Sequence, residues 1–284
     1  YEQSRPPFWR HSPAEKLVYF SVYHLSPQNL PYYIEYLNRF RPRVVMGYPN
    51  SLVTVARFAL EQGYAIFPPK AIITTSETGT PSIREALEGA FSCNVYDNYG
   101  AGEGCMLAAQ CEHGAYHLSP DYGVFEILDA HNEPVSAGTI GKAVCTGLNN
   151  TLQPLIRYEV GDAVAWAEDQ SCPCARAMPI IRSIEGRLED MCYTKDGRAI
   201  LRFDTVFKGI AEIREAQVVQ EALDAFVIRV VPAVGYGEHV VATIQKNMRS
   251  HAGDSRVEVV PVEVIERTAS GKFRPVISKV QPRV

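Results

Sequence analysis

The apolar positions in the first hundred residues switch between two spacings. Leu30, Tyr33, Ile34 and Leu37 recur every three or four residues, which lines one face of a helix, and Asn29 stands where its cap belongs. Val44–Gly47 is a short apolar run and reads as a buried strand. Asn50 or Ser51 is the expected cap of a second helix, with Leu52, Val55, Ala56 and Ala59 inward and Gly63 as its stop. Ala71–Thr75 reads as another strand. Pro81 opens a helix through Ile83, Ala86 and Leu87, and Asn94–Asp97 gives a third strand. Strands alternating with helices predict a parallel sheet with helices packed on it.

After Gly104 the texture changes. Residues 116–128 alternate in part, 134–141 are rich in turn formers, and 142–147 and 162–168 read as short strands, so a β-rich subdomain is expected. Beyond about residue 188 the order resets. A helix is expected from near Asp204 (Val206, Phe207, Ile210), then strands at 215–219 and 226–231. A helix bearing Val240, Val241, Ile244 and Met248 and a strand at 257–260 complete a small α+β domain. The expected division is therefore a partial large α/β domain over 1–187 and a small domain over 188–284. Within the large domain, the sheet runs to about residue 104 and the β-rich part follows.

Composition narrows the function classes. A chain of 284 residues holds one large domain and a smaller one. A net charge of −4 provides no basic field for nucleic acid or anionic membrane, and no apolar run reaches the roughly 18 residues of a membrane helix. Tyr1–Pro7 is neither a signal peptide nor an initiator start, so a cytoplasmic chain cut from something longer is expected. Seven irregularly spaced cysteines argue against a secreted disulfide framework. Cys111-Glu-His113-Gly-Ala-Tyr-His117 with Cys172-Pro-Cys174 instead offers three thiolates and an imidazole, the donor set of a tetrahedral zinc site. His113 and His117 compete for the nitrogen position. His117 is favoured because the start of a strand holds a ring more rigidly than a turn. Four protein ligands would make the site structural, tying two β-rich loops together.

Four further stretches stand in a fixed order: Tyr96-Asp-Asn-Tyr-Gly-Ala-Gly-Glu-Gly104, Leu155-Ile-Arg-Tyr-Glu-Val-Gly-Asp162, Glu185-Gly-Arg-Leu-Glu-Asp190 and Thr268-Ala-Ser-Gly-Lys272. Together they resemble the adenylate-forming ligase superfamily. Tyr48-Pro-Asn-Ser-Leu52, Thr75-Ser-Glu77 and His117 bring the resemblance nearest to its phenylacetate–CoA ligase-like branch, some members of which carry such a Cys/His cluster. The resemblance implies ATP-dependent activation of a carboxylic acid, an aryl or arylacetic acid being one option. The acyl-adenylate would pass to CoA or a carrier-protein thiol, with a small C-terminal domain hinged just after Arg187. It implies Glu103 as the magnesium ligand, Tyr99 near the adenine beside Gly100, Asp162 on the ribose hydroxyls and Arg187 at the nucleotide edge. Lys272 is implied as the cation that meets the α-phosphate and carboxylate. Tyr48, Pro49 and Glu77 resemble residues lining the acid and nucleotide pockets. Joining two anions needs charge neutralisation and alignment above all, which this residue set provides.

Two departures matter. Gly102 stands where most members of the superfamily have Thr or Ser, so a phosphate-contacting hydroxyl is missing. The family's Ser/Thr/Gly-rich phosphate loop is not found either: Ser76–Thr80 is similar but lies at the wrong place in the order. Weak ATP binding by the chain alone is the expectation, unless a missing N-terminal segment or a separate subunit supplies that loop. A non-catalytic nucleotide- or acyl-binding remnant is the rival reading, and a homodimer is left open.

Overall fold

The computed structural model describes residues 3, 5–77, 79–188, 191–195, 199–200, 203–269 and 271–280. Glu189 and Asp190, at the end of the fourth motif's neighbour Glu185–Asp190, Thr78 of Ser76–Thr80 and Ser270 of Thr268–Lys272 lie outside the described residues. The chain forms two compact units. The first comprises residues 1–100, 107–117 and 172–176, and the second 101–106, 118–171 and 177–284.

The first unit opens with a hairpin of β1 (Trp9–Ser12) and β2 (Leu17–Phe20). Sequence periodicity gives no sign of it, because four-residue strands are too short to establish a period. Aromatic packing holds it, with Trp9 and Tyr36 rings 4.2 Å apart. Then come α1 (Leu30–Phe40), β3 (Val44–Gly47), α2 (Pro49–Gln62), β4 (Ala71–Thr75), α3 (Pro81–Phe91) and β5 (Val95–Gly100). Strands β3, β4 and β5 pair in parallel, as the alternation of strand and helix requires. Two short strands, β6 (Leu107–Gln110) and β7 (Tyr116–Leu118), extend this sheet in the order β3-β4-β5-β6-β7, with β6 antiparallel to β5.

The helices end where their sequences say. Gly63 takes φ +70° after α2, and the Thr80 hydroxyl accepts the Ile83 amide proton ahead of Pro81. The expected caps of α1 and α2 are corrected. Asn29 occupies the cap position of α1, but its side chain donates to the His24 carbonyl. Helix α2 starts two or three residues earlier than expected: Tyr48 is the cap residue and Pro49 the first helical residue, a place where a missing N–H costs nothing. At this helix start Glu77 Oε2 accepts from the Asn50 amide at 3.2 Å and from its Nδ2 at 3.0 Å.

The second unit contains β8 (Gly123–Leu128), β9 (Gly141–Gly147), β10 (Tyr158–Trp166) and β11 (Ile180–Arg187), antiparallel neighbours in the order β11-β10-β9-β8. Beyond them lie β12 (Cys192–Tyr193), β13 (Ala199–Ile200), α4 (Asp204–Phe207), β14 (Ile213–Ala222), β15 (Ala225–Pro232), α5 (Glu238–Ala252), β16 (Arg256–Pro261) and β17 (Val276–Ser278). These form a four-stranded sheet, β16-β15-β14-β17, covered by α5. Residues from Cys192 onward build a core of their own: Val240, Ile244 and Met248 of α5 meet Val218, Phe226 and Ile228 of the sheet.

One close approach fixes the segment between β5 and β6. A Cβ at Gly123 would lie 2.1 Å from the Cys105 carbonyl oxygen and 2.9 Å from that of Thr146, and one at Gly147 would meet Cys105 Cα at 3.3 Å. Only glycine lets these backbones touch. Gly123→Ala should therefore destabilise the protein by about 2–3 kcal/mol, read as a lower urea midpoint at unchanged slope. Gly102→Ala is the control. Nothing lies within 4 Å of the added carbon, and a change within about 0.5 kcal/mol is expected.

Candidate functional site

Within the second unit, Asp162 and Arg187, both singled out in the sequence, come together. Strand β10 pairs with β11 so that Asp162 stands directly opposite Arg187. Asp162 is 9% exposed, and its Oδ1 lies 3.3 Å from Arg187 Nε. Arg187 also donates through Nη1 to the Val160 carbonyl at 2.6 Å. Between these two residues Gly161 adopts φ +83°, and a Cβ there would press on Arg187 Nη1 at 3.2 Å. The pairing of β10 with β9 is interrupted between Glu159 and Ala163, so this segment leaves the ladder and re-aims its side chains, as bulges beside sites do.

Glu103 sits in the turn 101–106, held by Gly104 (φ +70°) and by buried Cys105 and Met106. Tyr158, at the start of β10, donates its hydroxyl proton to Glu103 Oε1 at 2.8 Å. That bond, with the carboxylate's charge, raises the tyrosine above its ordinary pKa. Cys105 and Cys145 touch beneath this turn. Burial pushes both thiols up, and they behave as apolar packing and not as nucleophiles. The sequence reading gave Tyr158 no role of its own. The only signal was its place in the Arg157–Asp162 motif.

Lys272 belongs to a closed turn after β16. The Thr268 amide donates to the Lys272 carbonyl at 2.9 Å, Gly271 N–H to Thr268 O at 2.8 Å, and Lys272 N–H to Thr268 Oγ1 at 3.0 Å. Arg267 lies over the Phe273 ring at 4.6 Å and closes the base of the turn. The freedom of Lys272 is therefore in its half-buried side chain and not in its backbone.

The first unit holds the other candidates. Tyr99 is buried on β5, and Gly100 ends that strand, exposed. Tyr48 and Pro49 start α2, and Glu77 binds the same helix end, where a carboxylate also meets the positive end of the helix dipole. A polar knot that sequence reasoning missed lies nearby. Asp97 accepts from Thr74 Oγ1 at 2.5 Å and Tyr116 Oη at 2.6 Å, crossing from β4 to β7. No local motif signals it, because its members are 19 and more residues apart.

Cys111, His117, Cys172 and Cys174 also converge in the first unit, their ligand atoms all within 4.8 Å of one another. Cys111 Sγ and Cys172 Sγ are 3.7 Å apart, and Cys174 Sγ and His117 Nε2 3.2 Å. Two sulfurs each about 2.3 Å from a tetrahedral zinc stand about 3.8 Å apart, so the donor set fits in kind and in spacing. The turn after β6 supports it: His113 donates its amide proton to Cys111 Sγ at 3.4 Å, and its ring is not in the cluster. His117 is 3% exposed, and its Nδ1 has no hydrogen-bond partner among the described residues. The Arg176–Glu112 ion pair, 2.7 Å, also ties residues 172–176 to the 111–117 turn, but both side chains are nearly half exposed and such a pair contributes at most about 1 kcal/mol.

The solved structures most similar to this chain include 2-hydroxyisobutyryl-CoA ligase in its postadenylation state with R3-HIB-AMP. It has a TM-score of 0.73 and 25% identity, covering 89% of this chain and 58% of that one. A benzoate CoA ligase from Burkholderia xenovorans shares the fold, with a TM-score of 0.60 at 18% identity, covering 86% and 52%. The chain shares the fold of these AMP-forming, adenylate-forming ligases, a mixed α/β architecture with a small C-terminal α+β region. Within it, residues 192–279 match the family described as the CapK C-terminal domain. Protein CapK of Staphylococcus aureus is 29% identical over 234 residues, 81% of this chain and 51% of its own length. The chain thus spans little more than half the length of the relatives it matches.

The cluster geometry predicts about one zinc per chain by elemental analysis of protein prepared without chelator. Cys172→Ser should lose most of that metal and lower the melting temperature by several degrees. Metal content unchanged in Cys172→Ser would remove this residue from the ligand set.

Proposed function

We propose that the chain is the greater part of an acid-activating enzyme of the phenylacetate–CoA ligase-like branch. It converts a carboxylic acid and ATP to an acyl-adenylate and passes the acyl group to CoA or a carrier-protein thiol. The observation that carries this reading is the pairing of buried Asp162 with Arg187 beside the Tyr158–Glu103 hydrogen bond, all in one unit. A buried carboxylate at a bulge accepts well from two ribose hydroxyls, and Arg187 holds it in orientation. Magnesium, when bound, would neutralise phosphate charge, and Glu103 is the residue that would hold it. Tyr158 fixes the rotamer of that carboxylate. Lys272 brings an ammonium to the α-phosphate from the C-terminal region, which carries its own core and turns about a hinge after Arg187. Tyr99 and Gly100 are assigned to the adenine, and Tyr48, Pro49 and Glu77 to the lining of the acid and nucleotide pockets. The zinc at Cys111, His117, Cys172 and Cys174 is structural. The reading places the enzyme in the cytoplasm, where these thiols stay reduced. Among the described residues no helix is long and apolar enough to cross a membrane.

A second reading keeps the nucleotide site without the chemistry. It is favoured by Gly102, where the backbone leaves room for a side chain yet supplies no hydroxyl. Pyrophosphate exchange separates the two readings. An enzyme exchanges labelled pyrophosphate into ATP in the presence of its acid, whereas a remnant binds AMP in calorimetry and exchanges nothing.

Asp162→Ala should weaken AMP and acyl-adenylate analogues alike, by about 1–3 kcal/mol or ten- to a hundredfold. Lys272→Ala should cut adenylate formation strongly while AMP affinity barely moves. Full adenylation by Lys272→Ala would reject the role given to this lysine. Limited proteolysis should cut first between residues 188 and 198, and first cuts inside 204–260 would count against the hinge.

A further inference from the structure

The first residues of β10 are weakly held by their own ladder. The strand pairs with β9 through Tyr158↔Cys145 and Glu159↔Val144, and regular pairing resumes only at Ala163. A slip of one residue in so short a ladder would turn Tyr158 to the other face of the sheet. The face it must keep is the one toward Glu103. Tyr158, Cys145 and Phe125 stand in one row across the strands, and Cys145 touches Cys105 in the turn that carries Glu103. The next row, Glu159, Val144 and Glu126, faces the opposite way.

Arg157 is fastened to that opposite face. Its backbone takes φ +46°, a left-handed conformation that residues other than glycine seldom adopt and that costs free energy. Its N–H donates to Thr146 Oγ1 on β9 at 3.0 Å. Its Nε and Nη2 donate to the two carboxylate oxygens of Glu126 on β8, at 3.1 and 3.2 Å, a two-pronged pair that fixes direction. Beside it, Lys142 Nζ donates to Glu159 Oε1 at 2.5 Å. The Arg157 side chain is more than half exposed, so the pair adds little to stability. A strained backbone and a forked ion pair on one residue serve orientation instead. We propose that Arg157, clamped by Glu126, is a positioning residue: it locks the register in which the Tyr158 hydroxyl meets Glu103 at 2.8 Å. The inference rests on the reading of Glu103 as the carboxylate that would hold magnesium.

Fluorine NMR of the 284-residue chain labelled with 3-fluorotyrosine reads this contact without metal, nucleotide or turnover. Tyr158→Phe identifies the Tyr158 resonance, and Glu103→Gln marks where it lies once the carboxylate is gone. Arg157→Gly keeps the left-handed backbone and removes the guanidinium, while Glu126→Ala removes the clamp from an exposed site. Each should carry the resonance most of the way to the Glu103→Gln position, since its place reports the population in contact. Glu126→Lys should displace it too, and adding Arg157→Glu should return it by restoring an opposite pair. A displacement of less than half in Arg157→Gly or Glu126→Ala, or no return in the reversed pair, would overturn the proposal. In pyrophosphate exchange, Arg157→Gly should raise the magnesium requirement about tenfold or more while AMP affinity stays within about twofold. In a Tyr158→Phe background the same substitution should add no more than about twofold. An unchanged magnesium requirement, or a full effect in that background, would also sink the assignment, because Arg157 would then not act through Tyr158. Absence of exchange in the unsubstituted chain rejects the ligase reading and leaves the fluorine resonance to decide the lock.

Discussion

The placement of Asp162 opposite Arg187 across β10 and β11 is the interaction on which the candidate site depends. A carboxylate 9% exposed needs a partner, and Arg187 provides charge through Nε while Nη1 satisfies a backbone carbonyl. Because the Arg187 side chain is half exposed, solvent screens the pair and its direct contribution is on the order of 1 kcal/mol. Gly161 is part of the same constraint, since its left-handed backbone opens the bulge and leaves room for the guanidinium. The turn bearing Glu103 is locked independently, by Cys105 against Gly123 and Gly147. Two rigid supports therefore present two carboxylates in one unit, and Tyr158 joins them to the same strand.

The Cys/His cluster solves a different problem. Residues 172–176 belong with the first unit, although the strands on either side of them belong to the second. The described protein contacts of this short loop, an exposed ion pair among them, are weak for such a task. Four donors within 4.8 Å give metal coordination the geometry to supply the missing free energy. The polar knot of Thr74, Asp97 and Tyr116 serves the sheet of the same unit, satisfying a carboxylate that the strand interior would otherwise penalise.

Much of the α/β part was legible because helices α1 to α3 are amphipathic at a 3.6-residue spacing and β3 to β5 are short apolar runs between them. The C-terminal helix α5 and strands β14 to β16 were legible for the same reason. The motif residues Glu103, Asp162, Arg187 and Lys272 and the cysteine pattern were legible from their types and order. Strands β1, β2, β6, β11 and β17 were not, since most are too short to show a period and β11 follows a turn-rich stretch that masks it. Tertiary structure alone decided that Glu77 accepts from Asn50 at the start of α2 and that Tyr158 holds Glu103, and it brings His117, the ring the sequence already favoured over His113, to the three cysteines. Each of these depends on residues far apart in sequence being brought within about 3 Å, and hydrogen-bond and ligand geometry at that range is set by how strands register and bulge, which local sequence spacing does not encode.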